Sequence, residues 1–188
     1  MQASNKVLFL TEIAIFSALS LILDLFSFRL WAQGGSVSLQ MFPIFLMAFR
    51  WGMKGGITTG LVVGLLQLIL NPYIIHPAQA LLDYPVAFTL VGLSAITANS
   101  AHKSAQRDNR RKLTVQIILG VFIGSFGRFL AHFFAAFIFF GSSAPAGQPI
   151  WLYSLIYNGS YMLPSFIINA VLIVFLLLTR INLIVQKK

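Results

Sequence analysis

The sequence predicts an all-α protein that crosses a membrane several times, and three observations support this prediction. Hydrophobic residues make up 58% of the 188 residues and charged residues only 9%, whereas a soluble domain carries roughly 25% charged residues. The apolar residues occur in runs of about 17–25, the length that a helix needs to cross the hydrocarbon core of a bilayer. Alternation of apolar and polar residues is not sustained anywhere, so a β-barrel is not expected.

Six apolar segments are the predicted membrane helices, and they lie near residues 7–28, 40–51, 55–71, 78–100, 113–140 and 158–180. No long linker separates them, so residues 1–188 are expected to form one transmembrane domain. The first segment lacks a clear cleavage site, which favours a retained helix over a signal peptide. The second segment contains Pro43 and is short for a crossing of about 20 residues. We therefore expect the preceding loop, 29–39, to dip inward over a pocket.

The positive charges indicate that both termini are cytoplasmic. Two of the loops that would face outward, 71–77 and 141–157, contain no Lys or Arg, and an excess of positive charge on the inner side orients membrane proteins. The exceptions are Arg29 in the first outer loop and Arg128 within the fifth helix. We interpret the net charge of +9 as this topology signal rather than as a surface for nucleic acid. The inner segments carry Lys6, Arg50, Lys54, Lys103, Arg107, Arg110, Arg111, Lys112, Arg180, Lys187 and Lys188.

Motifs for covalent chemistry are missing from the sequence. It has no Gly-x-x-x-x-Gly-Lys-Ser/Thr phosphate loop, so ATP hydrolysis by that route is not expected. Cysteine is absent, and the three histidines lie on different segments, which argues against a metal site. Gly-x-Ser-x-Gly is missing too. The sequence therefore predicts neither an enzyme nor a cofactor.

Polar and aromatic side chains collect near the predicted outer face. A carboxylate inside a span is costly and by default functional, and each aromatic face attracts a cation by roughly 0.5–2 kcal/mol. The set therefore predicts a pocket for a flat, cationic, hydrogen-bonding ligand, with Asp83 as the counter-charge. Its members are Tyr73, His76, Asp83, Tyr84, Arg128, His132, Phe140, Tyr153 and Asn158.

Structural roles are open alternatives for these side chains. Trp31, Tyr73 and Tyr153 fit an interfacial aromatic belt, and Asn158 fits the cap of the sixth helix. His132 fits a packed, hydrogen-bonded histidine. Arg128 fits a structural neighbour of His132, a snorkelling side chain or an anion contact.

Two further carboxylates and several small residues are assigned to packing. Glu12 and Asp24 are expected to be interfacial or packed polar groups. Small residues four apart let helices approach closely, so the glycines of helices 3 and 5 are expected to pack within the chain. Ala14 and Ala18 form a similar face on helix 1, which is suited to an external partner helix. The glycines concerned are Gly56, Gly60, Gly64, Gly120 and Gly124.

Short segments spread through nearly the whole chain carry a family resemblance. They are Leu10-Thr-Glu-Ile-Ala14, Gln33-Gly-Gly-Ser-Val37, Pro43-Ile-Phe-Leu46, Phe49-Arg-Trp-Gly52, Leu82-Asp-Tyr84, Ala131-His132 and residues 153–158. No single segment is specific, but the ordered set resembles the thiamine-specific substrate-binding (S) components of energy-coupling factor (ECF) transporters. The resemblance implies a six-helix fold with a thiamine pocket near the outer face, capped by the first outer loop.

The resemblance also assigns roles to individual residues. Asp83 matches the pocket acid of the family, often Glu, and is followed by Tyr84. Tyr73 matches a loop tyrosine of the family, and His132 matches the pocket histidine. Tyr153 and Asn158 match the residues that make polar contacts to the pyrimidine. Two positions depart from the pattern: Phe140 stands where a relative has a stacking Trp, and Trp31 matches the capping-loop Trp only loosely.

Partners follow from the same resemblance. The face of Ala14 and Ala18 would dock a transmembrane coupling subunit, and two ATPase subunits would supply energy for uptake across the cell membrane. Arg128 is a candidate contact for the phosphate of a phosphorylated ligand. The rival hypotheses are an S component for another vitamin and a stand-alone small transporter or membrane enzyme.

Overall fold

The computed structural model describes residues 3–29, 35–70 and 72–184, and within these ranges the chain is helical with short connections and no β-strand. Among the described residues, five helical elements are long and apolar enough to cross a membrane. This confirms the predicted all-α class and an integral membrane protein. The elements are α1 (Ala3–Leu25), α2 (Phe42–Leu70), α3 (Pro77–Gln106), α4 (Arg110–Phe139) and α5 (Ile150–Thr179).

Helix α2 contains both the second and the third predicted helix. Gly52 has non-helical angles, φ 69° and ψ −156°, which glycine adopts far more readily than other residues. In a straight helix residues 48 and 56 would be about 12 Å apart. Instead, a Cβ added to Gly56 would lie 2.8 Å from the Cβ of Ala48. The chain therefore folds back at Gly52 into a first arm (residues 42–51) and a second arm (residues 53–70).

The first arm of α2 is the centre of the core. It begins with Pro43 near its amino end, where the missing N–H of proline costs nothing. Ten helical residues rise only about 15 Å, half the roughly 30 Å hydrocarbon core, so this arm is short as its sequence suggests. Its side chains are covered by other helices rather than facing outward. The fully buried ones are Ile44, Phe45, Met47, Ala48 and Phe49.

Glycines let the helices of the chain pack closely against one another, as predicted. A Cβ on Gly60 would clash with the backbone oxygen of Phe88, and one on Gly64 would lie 2.7 Å from that of Tyr84. On α4, a Cβ on Gly120 would lie 2.8 Å from the ring of Phe49. The second arm and α4 therefore approach α3 and the core at distances that a side chain would prevent.

Helix α3 is irregular at the level of the predicted pocket. His76 caps its start, and Pro77 occupies the first turn. The segment Leu82–Val86 is a π-helical turn that includes Pro85, which cannot donate a backbone hydrogen bond. Such wider turns occur frequently at functional sites. Asp83 and Tyr84 both lie on this turn.

The start of α5 differs from the prediction, which placed it at 158. The helix begins at Ile150, directly after Pro149, because proline's fixed φ suits the entry to a helix. Tyr153 therefore lies in the first turns of α5 rather than in a loop. The capping alternative for Asn158 is wrong, since this residue lies inside the helix and its Nδ2 donates to the Ser154 carbonyl at 2.9 Å.

A polar cluster joins both ends of the chain at one end of the bundle. Arg50, at the end of the first arm, donates to both carboxylate oxygens of Glu12 at 2.6 and 2.7 Å and to the carbonyl of Leu183 at 2.8 Å. Trp51 Nε1 also donates to Glu12, at 2.6 Å. Glu12 is thus a packed polar group, as expected, and two of the resemblance segments meet here.

Candidate functional site

A cavity of about 270 Å³ lies at the opposite end of the bundle. This volume is near the lower end of the roughly 300–1,000 Å³ of small-molecule sites. Helices α1, α3, α4 and α5, the second arm of α2 and the loops beside them all contribute to the wall. The lining residues are Asp24, Arg29, Gly35, Ser36, Gln40, Gln67, Pro72, Tyr73, Gln79, Asp83, Tyr84, Phe88, Arg128, His132, Ala136, Phe140, Tyr153, Tyr157, Asn158 and Tyr161.

The structure brings most of the predicted site residues to this one cavity. Trp31 lies outside the described residues. His76 is not on the cavity wall and stacks on Phe139 with ring centroids 4.9 Å apart. Ala14 and Ala18 are exposed on α1, away from the cavity. The predicted residues that line the cavity are Tyr73, Asp83, Tyr84, Arg128, His132, Phe140, Tyr153 and Asn158.

Asp83 and His132 form the central polar contact of the cavity. The Nδ1 of His132 lies 2.7 Å from Oδ1 of Asp83, and both side chains are largely buried. Arg128 donates from Nε to the Nε2 of His132 at 3.1 Å. Because Nε2 accepts this bond, the ring proton resides on Nδ1 and points to Asp83. The network therefore holds a neutral histidine against a carboxylate.

Gln79 fixes the other carboxylate oxygen and the loop above it. Its Nε2 donates to Oδ2 of Asp83 at 2.6 Å and to the carbonyl of Tyr73 at 3.1 Å, while its Oε1 accepts from the backbone of Ile75 at 3.1 Å. The hydroxyl of Tyr84 accepts from the backbone N–H of Tyr73 at 2.6 Å. One glutamine and one tyrosine on α3 thereby connect the acid to the loop tyrosine.

Aromatic rings form two walls of the cavity. Tyr73 and Phe140 are stacked with centroids 6.1 Å apart and an interplanar angle of 19°. On α5, Tyr153 and Tyr157 lie 5.6 Å apart, and the hydroxyl of Tyr157 accepts from the backbone of Gly35 at 3.3 Å. Flat faces of this kind suit a planar or cationic ligand.

Asn158 connects these walls through its side-chain amide. Its Oδ1 accepts from the hydroxyl of Tyr161 at 2.6 Å, and its Nδ2 also reaches the carbonyl of His132 at 3.4 Å. The amide is therefore held in one orientation, with one lone pair of Oδ1 left for a further donor.

Arg128 is a partly buried cation on the cavity wall. Its guanidinium lies 4.2 Å from the centroid of the Phe88 ring, a cation–π contact. The described residues include all four Asp and Glu side chains of the sequence, and none of the four forms a salt bridge with Arg128. Of the sequence alternatives, the structural neighbour of His132 is present in the geometry.

Several residues of the cavity wall were not among the predicted site residues, and Asp24 and Gln40 are two of them. Asp24 is a packed polar group, as expected, but it also lines the cavity, where Oδ2 accepts from Arg29 at 2.9 Å and from Gln67 at 3.0 Å. A carboxylate within a span was the signal that pointed to it. Gln40 is 1% exposed and its Nε2 has no partner among the described residues. Nothing in the sequence distinguishes this glutamine from other polar residues.

Comparisons with known proteins agree with one another. Over the full length of both proteins, the chain is 48% identical to the "Thiamine transporter ThiT" of Bacillus subtilis (strain 168). It is 32% identical to the protein of the same name from Lacticaseibacillus paracasei, over all of this chain and 95% of the relative. A solved structure of ThiT from Listeria monocytogenes superimposes with a TM-score of 0.90 at 27% identity, covering 97% of this chain and 100% of that one.

The family profile described as "Thiamine transporter protein (Thia_YuaJ)" matches residues 10–185. This range includes every predicted site residue and both ends of the helical bundle. The match agrees with the resemblance found in the sequence segments and with the full-length relatives. The chain belongs to the thiamine transporter family.

Proposed function

We propose that this chain is the thiamine-binding subunit of an ECF-type uptake transporter. It captures thiamine at the outer face of the cell membrane and passes it inward together with partner subunits. The names of the relatives support thiamine as the ligand. The observation that carries the proposal is the largely buried Asp83–His132 pair beside stacked aromatic rings in one cavity.

In the proposed complex, thiamine lies between the aromatic walls. Its positively charged thiazolium faces Asp83, whose charge offsets the cost of burying the cation. Tyr73, Phe140 and Tyr84 provide flat or polar surface from one side, and Trp31 caps the ligand from the first outer loop. Tyr153 and Asn158 hydrogen-bond the edge of the aminopyrimidine. The free lone pair of Asn158 Oδ1 supports this last contact, because an exocyclic amine is a donor.

The proposed topology is one unit of six spans with both termini in the cytoplasm. In this topology, α1, α3, α4 and α5 supply four spans and the second arm of α2 supplies the fifth. The first arm of α2 is the sixth, shorter span. The inner location of most Lys and Arg residues supports the orientation. In this orientation the cavity opens to the outside and the Glu12–Arg50 cluster lies near the cytoplasm.

Energy for uptake comes from partners in this proposal, since the chain itself performs no covalent chemistry. A transmembrane coupling subunit docks on the face of Ala14 and Ala18, and two ATPase subunits complete the transporter. The exposure of both alanines on α1 supports a helix–helix contact at this face. Arg128, which forms no salt bridge with an Asp or Glu side chain among the described residues, is the proposed contact for the phosphate of a phosphorylated thiamine.

Calorimetric titration of the purified protein with thiamine tests the proposal. Asp83→Asn keeps the shape of the side chain but removes its charge, and we expect it to weaken binding tenfold or more, as for a buried charge pair that loses one partner. Asp108→Asn is the matched control. Asp108 is exposed at the turn between α3 and α4 and has φ 50°, a conformation that asparagine also tolerates.

The control variant should bind thiamine as the unaltered protein does. Absence of saturable binding to the unaltered protein would refute thiamine as the ligand. Equal affinity of the Asp83→Asn variant and the unaltered protein would refute the role of Asp83.

A further inference from the structure

The second carboxylate of the cavity, Asp24, is already paired with a cation of the chain itself. Arg29 donates from Nη2 to Oδ2 of Asp24 at 2.9 Å, and its Nε donates to the hydroxyl of Ser27 at 3.0 Å. Gln67 holds the same carboxylate oxygen from the second arm of α2 at 3.0 Å. Asp24, Arg29 and Gln67 all line the cavity. Arg29 is also the one basic residue of the outer loops, an exception to the positive-inside pattern.

The charges on the cavity wall balance without a ligand. Asp24 and Asp83 contribute two negative charges, Arg29 and Arg128 contribute two positive charges, and His132 is neutral by the hydrogen-bond argument above. A cationic ligand would therefore add an uncompensated positive charge to a largely buried site, which is unfavourable at low dielectric. Release of one of the two arginines restores the balance.

The geometry identifies Arg29 as the arginine that can leave. Its side chain is 47% exposed, whereas that of Asp24 is 9% exposed. Arg128 is held by His132 and by the ring of Phe88, while Arg29 lies in a loop beside an antiparallel bridge between Phe28 and Val37. Solvation of the guanidinium outside the cavity costs little from this position.

We propose that Asp24 is a second counter-charge for the cationic ligand and that Arg29 is an exchangeable internal cation that occupies Asp24 until the ligand arrives. The two residues thereby determine the preference of the cavity for a cation over a neutral molecule of the same shape. This inference rests on the proposed function, because it takes thiamine as the cation.

Two variants and two ligands test the exchange. The ligands are thiamine and its neutral isostere in which carbon replaces the positively charged ring nitrogen. Arg29→Gln removes the competing cation, so thiamine should bind about twofold to fivefold more tightly. Asp24→Asn should weaken thiamine binding tenfold or more. Both variants should bind the neutral isostere within about threefold of the unaltered protein, which also shows that they are folded.

Arg110→Gln is the matched control. Arg110 belongs to an exposed pair with Asp108 at 3.6 Å on the other side of the bundle, so its loss lowers the net charge equally without touching the cavity. This control should leave both affinities unchanged.

The inference is overturned if Arg29→Gln leaves thiamine affinity unchanged or weakens it, or if Asp24→Asn affects both ligands equally. If the Asp24→Asn variant does not fold, the thiamine affinity of the Arg29→Gln variant alone tests the inference. These outcomes differ from a failure of the proposed function, because in that case the unaltered protein would bind neither ligand.

Discussion

Asp83 has both carboxylate oxygens occupied before any ligand binds. His132 holds Oδ1 and Gln79 holds Oδ2, so the side chain cannot rotate without breaking one of two short bonds. A group that is fixed in this way loses little rotational freedom when a ligand binds, which favours affinity. Asn158 is fixed in the same manner by Tyr161 and Ser154.

A substitution of Gln40 tests whether this cavity side chain contributes to ligand binding rather than to the stability of the fold. Its buried Nε2 has no partner among the described residues, and an unpaired buried amide costs about 1–3 kcal/mol. We expect Gln40→Met to leave the thermal midpoint unchanged or raised but to weaken thiamine binding about threefold to tenfold. Thermal denaturation and calorimetry measure the two effects. A lowered midpoint with unchanged affinity would show that Gln40 acts in packing instead.

At the residue scale, the sequence shows which side chains are costly to place inside a membrane, but it does not show what those side chains contact. Asp83 and His132 were predictable because ionisable groups inside spans are expensive. Asp24 carried the same signal, yet its position near the end of α1 also fitted an interface. Its contact with Gln67, 43 positions away, depends on the packing of α1 against the second arm of α2.

Helix packing in this fold depends on glycines that face neighbouring backbone. A Cβ on Gly60 would clash with the carbonyl of Phe88 on α3, which cannot move as a flexible side chain can. We expect Gly60→Ala to destabilise the protein by about 1–3 kcal/mol, as overpacking does. Gly159 is the matched control: it also lies within a helix, but an added Cβ would meet nothing within 4 Å.

Gly159→Ala should therefore raise stability slightly, by about 0.5–1 kcal/mol. Thermal denaturation in detergent compares the two variants. If the two substitutions changed the thermal midpoint by similar amounts, the close approach of the second arm of α2 to α3 would be contradicted.

At the element scale, hydropathy predicted where apolar helices lie but not how they join. The turn at Gly52 was predictable from glycines between two apolar runs, whereas the fold-back itself depends on the contact between Gly56 and Ala48. The start of α5 was placed at 158 because the sequence from Gly141 to Tyr157 is rich in Gly, Ser and Pro. Pro149 permits a helix directly after it, so half of that segment is helical. The π turn at Asp83 has no sequence signature apart from Pro85.

The two ends of the molecule are connected by the first arm of α2. It begins two residues after Gln40, which lines the cavity, and extends to Arg50 in the polar cluster with Glu12 and Leu183. Every residue from Met41 to Phe49 is buried or nearly so, so a movement at one end cannot be absorbed locally in a close-packed core. Glu12 lies on α1, the same helix as Ala14 and Ala18. The architecture thus places the proposed ligand site and the proposed docking face on one packed unit.

The central claim is that the cavity around Asp83 and His132 binds thiamine. A crystal structure of the protein with thiamine tests it most directly. The account predicts ligand density between the rings of Tyr73 and Tyr153, with the thiazolium close to Asp83 and the aminopyrimidine within hydrogen-bond distance of Asn158. Density for thiamine outside this cavity, or none at a saturating concentration, would contradict it.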